Sequence, residues 1–273
     1  MMIKEVRTVV FSPTGSTAAL VTEAGERLAQ TLGVPVSHDD FTLPRGQQAV
    51  RTYGPETLVV FGMPTYAGRI PNKALPFVQQ LFQGHDTPAA ALVTFGNRSY
   101  DSSLTELALE LRSHGFHVLA AGAFATRHAF ADIGMEHPTK ADEALLAKLI
   151  AGTAALLKKG VCPEALIKGG APVAPYYIPK GEDGQPAKFL KAKPRTDLSR
   201  CDHCGKCADV CPMGSISREH TEEVPGICIK CQACLVYCPQ HAKYFDDPRF
   251  LSHKAMLEKN FQRTAASEIF LGV

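Results

Sequence analysis

The sequence predicts an open α/β sandwich on a five-stranded parallel sheet, strand order 2-1-3-4-5, followed by a small cysteine-rich α+β unit. Three observations lead there. Short apolar runs alternate with amphipathic segments through the first 160 residues, the pattern of a parallel sheet covered on both faces. Glycines and prolines then break every periodicity from Gly160 to about Arg195. Eight of the nine cysteines, finally, fall between Cys201 and Cys238.

In chain order the strands are Val6–Phe11, Val36–Asp39, Thr57–Gly62, Ala89–Phe95 and His117–Phe124, each a short run rich in apolar residues. The helices are Ser16–Leu32, Asn72–Phe82, Asp101–His114 and Thr139–Lys159, with apolar residues three and four apart after a polar starter. Right-handed crossovers then place helices on both faces, and ligands beyond the carboxyl ends of the strands where the strand order reverses. Residues 41–56, with Pro44, Pro55 and few apolar positions, read as loop. These elements make residues 1–160 one domain.

Residues 161–193 read as a linker or wrapping segment, interrupted by Gly169, Gly170, Pro172, Pro175, Pro179, Gly181, Gly184 and Pro186. Its Lys180, Lys188, Lys191 and Lys193, with Arg195 just beyond, most simply keep it solvated. Residues 194–246 form the cysteine unit. Residues 247–273 read as a helical tail (Leu251, Ala255, Leu257, Phe261) with an apolar end, Ile269–Val273, that packs back on the body.

Composition sets the outer bounds. With 45% hydrophobic and 21% charged residues, the chain is a folded globular one. A formal net charge of +2 is too small for a surface that neutralises many phosphates, so no nucleic-acid partner is expected. No run approaches the roughly 18 apolar residues of a membrane span. The apolar stretch at the N-terminus is too short for a signal peptide, so a cytoplasmic location is expected.

The cysteines run Cys201-x2-Cys204-x2-Cys207-x3-Cys211-Pro212 and then Cys228-x2-Cys231-x2-Cys234-x3-Cys238-Pro239, an internal repeat. Dense thiols on a long cysteine-poor body point to metal ligation rather than disulfides. Two-residue spacers let three thiolates of one tight loop reach three corners of a cube, while the fourth, before proline, points at the other cube. This assigns Cys201, Cys204, Cys207 and Cys238 to one 4Fe-4S cluster and Cys228, Cys231, Cys234 and Cys211 to a second. Two four-cysteine zinc sites are the rival, but zinc pairs separated CxxC knuckles and has no use for three thiols in a run with a trailing Cys-Pro. Small residues at Gly205, Ala208, Gly214, Ser215 and Ala233 leave room for backbone amides beside the sulfides. Cys162 lies outside the tract and reads as structural, and none of the ten histidines has ligand spacing with another.

The first strand ends at Ser12-Pro13-Thr14-Gly15-Ser16-Thr17 and a helix follows at once. Hydroxyls and free N–H groups at a helix N-terminus suit a monophosphate. The triphosphate and dinucleotide fingerprints, GxxxxGK[ST] and GxGxxG, do not occur at this junction. Two more loops, Met63-Pro64-Thr65-Tyr66-Ala67-Gly68-Arg69-Ile70-Pro71 after the third strand and Thr94-Phe95-Gly96-Asn97-Arg98-Ser99-Tyr100-Asp101 after the fourth, converge on the same crevice, where a planar ring could lie against Tyr66.

These three loops make residues 1–160 resemble a flavodoxin, and residues 194–246 resemble a bacterial-type two-cluster ferredoxin. The whole chain is similar to flavodoxin-ferredoxin fusion proteins of anaerobes. The resemblance implies a flavodoxin-like sheet and bound flavin mononucleotide (FMN). Ser12, Thr14, Gly15, Ser16 and Thr17 would hold the phosphate; Pro64, Thr65, Tyr66, Ala67, Gly68 and Arg69 one side of the flavin; Thr94, Phe95, Gly96, Asn97, Arg98, Tyr100 and Asp101 the other. Two departures stand out: Ser16 takes the place of an asparagine common in the phosphate loop, and no second ring-stacking aromatic is evident. The segment Arg127-His128-Ala129-Phe130 is the candidate to cover the second face.

A flavin exchanging one or two electrons beside clusters that exchange one makes a converter between electron currencies. The expected function is electron transfer with redox partner proteins, no catalytic residues of its own, and a homodimer left open. The alternative is a flavin-dependent reductase of a small molecule, or a reductive activator of a metal-cofactor protein, with the clusters as its wire.

Overall fold

The computed structural model describes residues 2–168 and 172–273; Gly169 and Gly170 of the linker lie outside them. In chain order the elements are β1 (Glu5–Val10), α1 (Ser16–Leu32), β2 (Val36–Asp40), β3 (Arg51–Tyr53), β4 (Thr57–Pro64), α2 (Leu75–Leu81), β5 (Phe82–Gly84), β6 (Thr87–Phe95), α3 (Ser103–Ser113), β7 (Phe116–Ala125) and α4 (Lys140–Lys158). After the linker come β8 (Arg195–Thr196), α5 (Lys206–Asp209), α6 (Ala233–Val236), β9 (Lys243–Tyr244), α7 (Pro248–Asn260) and β10 (Glu268–Leu271).

The main sheet has six strands, ordered β10-β7-β6-β4-β1-β2. Five are parallel and follow the order read from the sequence. The sixth corrects the five-strand expectation. The apolar end of the tail, read as part of a helical segment, extends as β10 and pairs antiparallel with β7, Glu268 opposite Ala123 through Leu271 opposite Ala120. An edge strand with unpaired N–H and C=O groups is thus capped by the chain's own end. The chain leaves the sheet after α4, builds the cysteine unit, and returns to finish the sheet.

Both faces of the sheet are covered. Leu28 and Val21 of α1 pack with Leu146, Leu149 and Ile150 of α4 on one face. The other, under α2 and α3, holds Phe11, Phe41, Phe61 and Phe82, with Phe41 and Phe82 centroids 4.9 Å apart. Each such ring contributes about 1.5–3 kcal/mol by leaving water. Phe41 belongs to the segment 41–56, expected to be loop; it instead holds a 3-10 turn at Pro44–Gln47 and β3, which pairs with β5 in a small parallel sheet. The helix expected over Asn72–Phe82 is shorter, because Pro76 seats it at Leu75 and Phe82 leaves it extended to begin β5.

Asp142, buried at the start of α4, fastens the returning tail. It closes the capping box of Thr139 and accepts from His137 Nδ1 at 2.7 Å and Ser267 Oγ at 2.5 Å. The Ser267 hydroxyl in turn accepts from the Ala125 N–H at 3.0 Å. Among the described residues, no helix is long and apolar enough to cross a membrane.

Candidate functional site

The carboxyl ends of β1, β4 and β6 open on a cavity of about 590 Å³, within the range of cofactor sites. Ser12, Thr14, Ser16 and Thr17 line one end of it, Pro64 to Gly68 and Thr94 to Gly96 its floor, and Arg98 its rim. The N–H groups of Ser16 and Thr17 have no protein acceptor among the described residues, as the first turn of a helix leaves them, and neither has that of Thr14 just before it. Ser12 Oγ accepts from the Ala18 N–H at 2.9 Å, which fixes the loop around the helix start.

The three loops are stitched to one another. Thr17 Oγ1 and Thr94 Oγ1 are 2.7 Å apart, the Thr65 N–H donates to the Thr94 carbonyl at 2.7 Å, and Thr65 Oγ1 meets Ser103 Oγ at 2.7 Å. Tyr66 and Arg69 exchange backbone bonds across a turn whose central Ala67 and Gly68 have φ of 50° and 78°. These bonds hold the three loops in one arrangement at the strand ends.

Five residues assigned to the flavin stand outside its lining. Gly15 caps α1 with its backbone. Arg69 pairs with Glu106 and lies over the Tyr176 ring at 4.6 Å. Asn97 is fully buried and turned the other way: Nδ2 donates to the Phe261 and Arg263 carbonyls at 2.8 and 2.7 Å, and Oδ1 accepts from the Ala265 N–H at 2.9 Å. Its φ of 59° aims the side chain at the tail. Tyr100 likewise donates to Glu268 Oε2 at 2.5 Å, and Asp101 accepts from Arg98 and from Ser99 Oγ. These side chains tie loops and tail together.

The wall opposite the loops comes from segments that sequence reasoning did not join to the site. Tyr176, Tyr177, Phe189 and Leu190 of the linker line it, as do His253 and Leu257 of α7. The linker is clamped down by the Tyr177 N–H to the Ala67 carbonyl (2.8 Å), by Tyr176 Oη to the Ile70 carbonyl (2.9 Å), and by the Arg98 guanidinium 4.1 Å from the Tyr177 ring centroid. A cation over a ring contributes about 0.5–2 kcal/mol. Two tyrosines between prolines, Pro175-Tyr-Tyr-Ile-Pro179, are the available signal in a stretch broken by glycine and proline.

Residues 127–130, the candidate cover, do line the cavity. His128 Nδ1 accepts from the Phe130 and Ala131 N–H groups at 3.3 and 3.1 Å, so the ring carries its hydrogen on Nε2. Burial, then the neighbouring His253 and Arg98, push its pKa down to about 4, so the imidazole is neutral near pH 7. Phe130 packs against Phe250 at 4.8 Å, and Phe250 stacks on Phe245 at 4.6 Å, which joins this loop to α7 and the cysteine unit.

Within the cysteine unit the repeat is also conformational. His203 and Lys230, Gly205 and Gln232, and Gly214 and His241 are matching positions, and all six have positive φ. Each repeat thereby wraps its three thiols around a short helix, α5 or α6. Cys201, Cys204, Cys207 and Cys238 line one small cavity; Cys211, Cys228, Cys231 and Cys234 line another. The Ser215 and Ala242 N–H groups donate to Cys211 Sγ and Cys238 Sγ, both at 3.3 Å, and Lys230 N–H to Cys228 Sγ at 3.4 Å. None of the nine cysteines is in a disulfide. Among the described residues no three His, Cys, Asp or Glu side chains are placed to hold a single ion; the thiols instead surround a space, as ligands of a cube do. Burial raises the pKa of Cys207, Cys228 and Cys231, the last to about 12, so the thiols stay protonated until metal compensates their charge.

The two halves meet at the cavity beyond the strand ends. Ile227, Cys228, Ile229 and Lys230 line both it and the cavity of Cys211, Cys231 and Cys234. Tyr66 sits at this boundary, its phenol held well above the usual tyrosine range by burial and by the neighbouring Cys231 and Cys228. Cys162 is elsewhere, half-buried against the core on the α1–α4 side of the sheet with Sγ 4.0 Å from the His117 carbonyl of β7, its thiol pushed up to about 11 by burial and then Glu164.

Residues 193–216 and 225–244 each match a family model described as a 4Fe-4S binding domain. The N-terminal part is similar to a flavodoxin from the domain Archaea at 15% identity, over 57% of this chain and 99% of that one, with a TM-score of 0.41. It is also similar to a short-chain flavodoxin associated with a non-canonical PDU bacterial microcompartment (16% identity, 57% and 98% coverage, TM-score 0.39). A third likeness is to rubredoxin oxygen:oxidoreductase from the anaerobe Desulfovibrio gigas, at 21% identity over 58% of this chain and 37% of that one, TM-score 0.38. No curated protein matches the chain. The chain thus joins two 4Fe-4S binding domains to a mostly parallel α/β sheet.

Proposed function

We propose that this chain is an electron-transfer protein in which FMN and two 4Fe-4S clusters exchange electrons within one molecule, linking one-electron and two-electron carriers outside it. The observation that carries the reading is the shared wall: Cys228 and its neighbours line both the cavity at the strand ends and the cavity of four thiols. When bound, FMN supplies one- and two-electron chemistry and each cluster one-electron chemistry.

The chain's own residues bind, orient and exclude water. The Ser16 and Thr17 amides and the hydroxyls of Ser12, Thr14, Ser16 and Thr17 form a phosphate cradle at the positive end of α1. Tyr66 and the stitched loops give a planar ring a fixed floor. The half-buried Tyr176–Tyr177 strap and Phe189 form the opposite wall, with the exposed Leu190 at its edge. His128, neutral and with its Nε2–H unbonded to protein among the described residues, offers the cavity a donor without adding charge. Cys201, Cys204, Cys207 and Cys238 are the ligand set of one cluster, and Cys211, Cys228, Cys231 and Cys234 that of the other.

The single anion-binding helix start supports a carrier over a nicotinamide-driven reductase. Among the described residues lining the cavity, α1 is the one helix that presents its N-terminus, and the flavin phosphate takes it; a dinucleotide would need a second pyrophosphate site. Under anaerobic conditions NADH and NADPH should therefore leave the flavin oxidised over minutes, while reduced ferredoxin or a low-potential chemical donor bleaches it quickly. Rapid, saturable bleaching by either nucleotide alone would overturn the carrier reading.

A further inference from the structure

The internal repeat allows the two cluster sites to be compared position by position, and they differ at one buried residue. Five residues after Cys211 stands Ile216; five after Cys238 stands Lys243. Both are buried, Ile216 at 8% and Lys243 at 6% exposure. Ile216 lines the cavity of Cys211, Cys228, Cys231 and Cys234, and Lys243 that of Cys201, Cys204, Cys207 and Cys238. A methyl-bearing side chain on one side is thus replaced by an ammonium on the other.

The ammonium is built in. Lys243 Nζ donates to Thr196 Oγ1 at 2.7 Å and to the Thr221 carbonyl. Thr221 is itself buried, and its Oγ1 lies 3.6 Å from Cys201 Sγ. No carboxylate pairs with Lys243 among the described residues, although a buried charge is costly unless something compensates it. The compensating charge available is that of the thiolates: Lys243 lines the Cys201-side cavity and bears on Cys207 there, and its charge also reaches Cys234 of the other site, whose cavity it does not line. Lys193 and Lys230 lie near Cys228 on the other side, Lys230 with Nζ donating to the Cys228 carbonyl at 3.0 Å, but Lys193 is exposed and Lys230 half-buried, so water screens them more than it screens the buried Lys243.

We propose that Lys243 makes the two clusters unequal, its buried ammonium raising the reduction potential of the cluster held by Cys201, Cys204, Cys207 and Cys238 above that of its partner. The inference rests on the iron–sulfur reading of the site. The reduced form of each cluster carries one more negative charge than the oxidised form, so a fixed positive charge in a low-dielectric neighbourhood favours reduction. The first electron entering the pair settles on the Lys243 side. The cluster that borders the flavin cavity is then the harder one to fill, which makes it the step that opens only to a strong donor or a second electron.

The test is a redox titration of the whole, cluster-loaded protein followed by electron paramagnetic resonance and, to identify each cluster, by nuclear magnetic resonance of the shifted β-proton signals of its assigned cysteines. Lys243→Ile should lower the ratio of reduced to oxidised Cys201-side cluster at fixed potential by about tenfold, equivalent to about 59 mV for a one-electron couple. The partner cluster should move distinctly less. Lys243→Arg, which keeps the charge, should restore the original value. Should Lys243→Ile not assemble its clusters, Ile216→Lys places the charge on the other side and should raise that cluster's potential. An unmoved Cys201-side cluster in Lys243→Ile, an equal fall of both clusters, or no rise in Ile216→Lys would overturn the proposal. A wild-type protein that holds no cluster would instead overturn the functional reading beneath it.

Discussion

Replacing Cys211 with alanine should abolish the cluster walled by Cys228, Cys231 and Cys234 and leave the one beside its sequence neighbours Cys201, Cys204 and Cys207 in place. The spacing argument sends the cysteine before each proline to the opposite site, and Cys211 lines the cavity of the second repeat's three thiols while Cys238 lines that of the first. The expected signature is iron and acid-labile sulfide falling to about half, with the surviving resonance that of the Cys201-side cluster. Electron delivery to the flavin should fail as well, because the lost cluster is the one whose wall the flavin cavity shares. Loss of the other cluster would overturn the crossed ligation, and zinc without labile sulfide in the wild-type protein would overturn the cluster assignment itself.

The second large effect belongs to Gly15. It stands at the start of α1 with φ of 92°, a backbone conformation in which a β-branched side chain is strained by about 1–3 kcal/mol. A Cβ there would also approach the Tyr237 hydroxyl at 3.3 Å, tighter than ordinary contact. Gly15→Val should therefore disturb the amides that cradle the phosphate and press the loop against the cysteine unit. We expect flavin content per cluster iron to fall at least about tenfold, the ratio that 1.4 kcal/mol produces, while both clusters remain. Undiminished flavin would mean that the loop is a helix cap and nothing more.

These two experiments rest on the parts of the molecule most legible in the sequence, and for a physical reason. The cysteine repeat and the Ser12–Thr17 junction are local: spacing along the chain sets which atoms converge. What escaped is long-range. β10 reads as an apolar end because its partner, β7, lies far back in the sequence. Asn97 occupies the right loop for a flavin residue, but its positive φ turns it to the tail carbonyls of Phe261 and Arg263. Tyr176 and Tyr177 sit in a segment whose glycines and prolines hid how firmly Arg69 and Arg98 hold it. Lys243, one lysine among many, gains its meaning only from burial and from comparison with Ile216.

The central claim is that flavin and clusters form one electron path inside one chain. Anaerobic flash reduction of the clusters, followed by watching flavin absorbance across a range of protein concentrations, tests it most directly. The account predicts that the flavin is reduced in step with cluster reoxidation at a rate independent of concentration, and that Cys211→Ala abolishes this phase. A rate proportional to protein concentration, or one unchanged in Cys211→Ala, would contradict it.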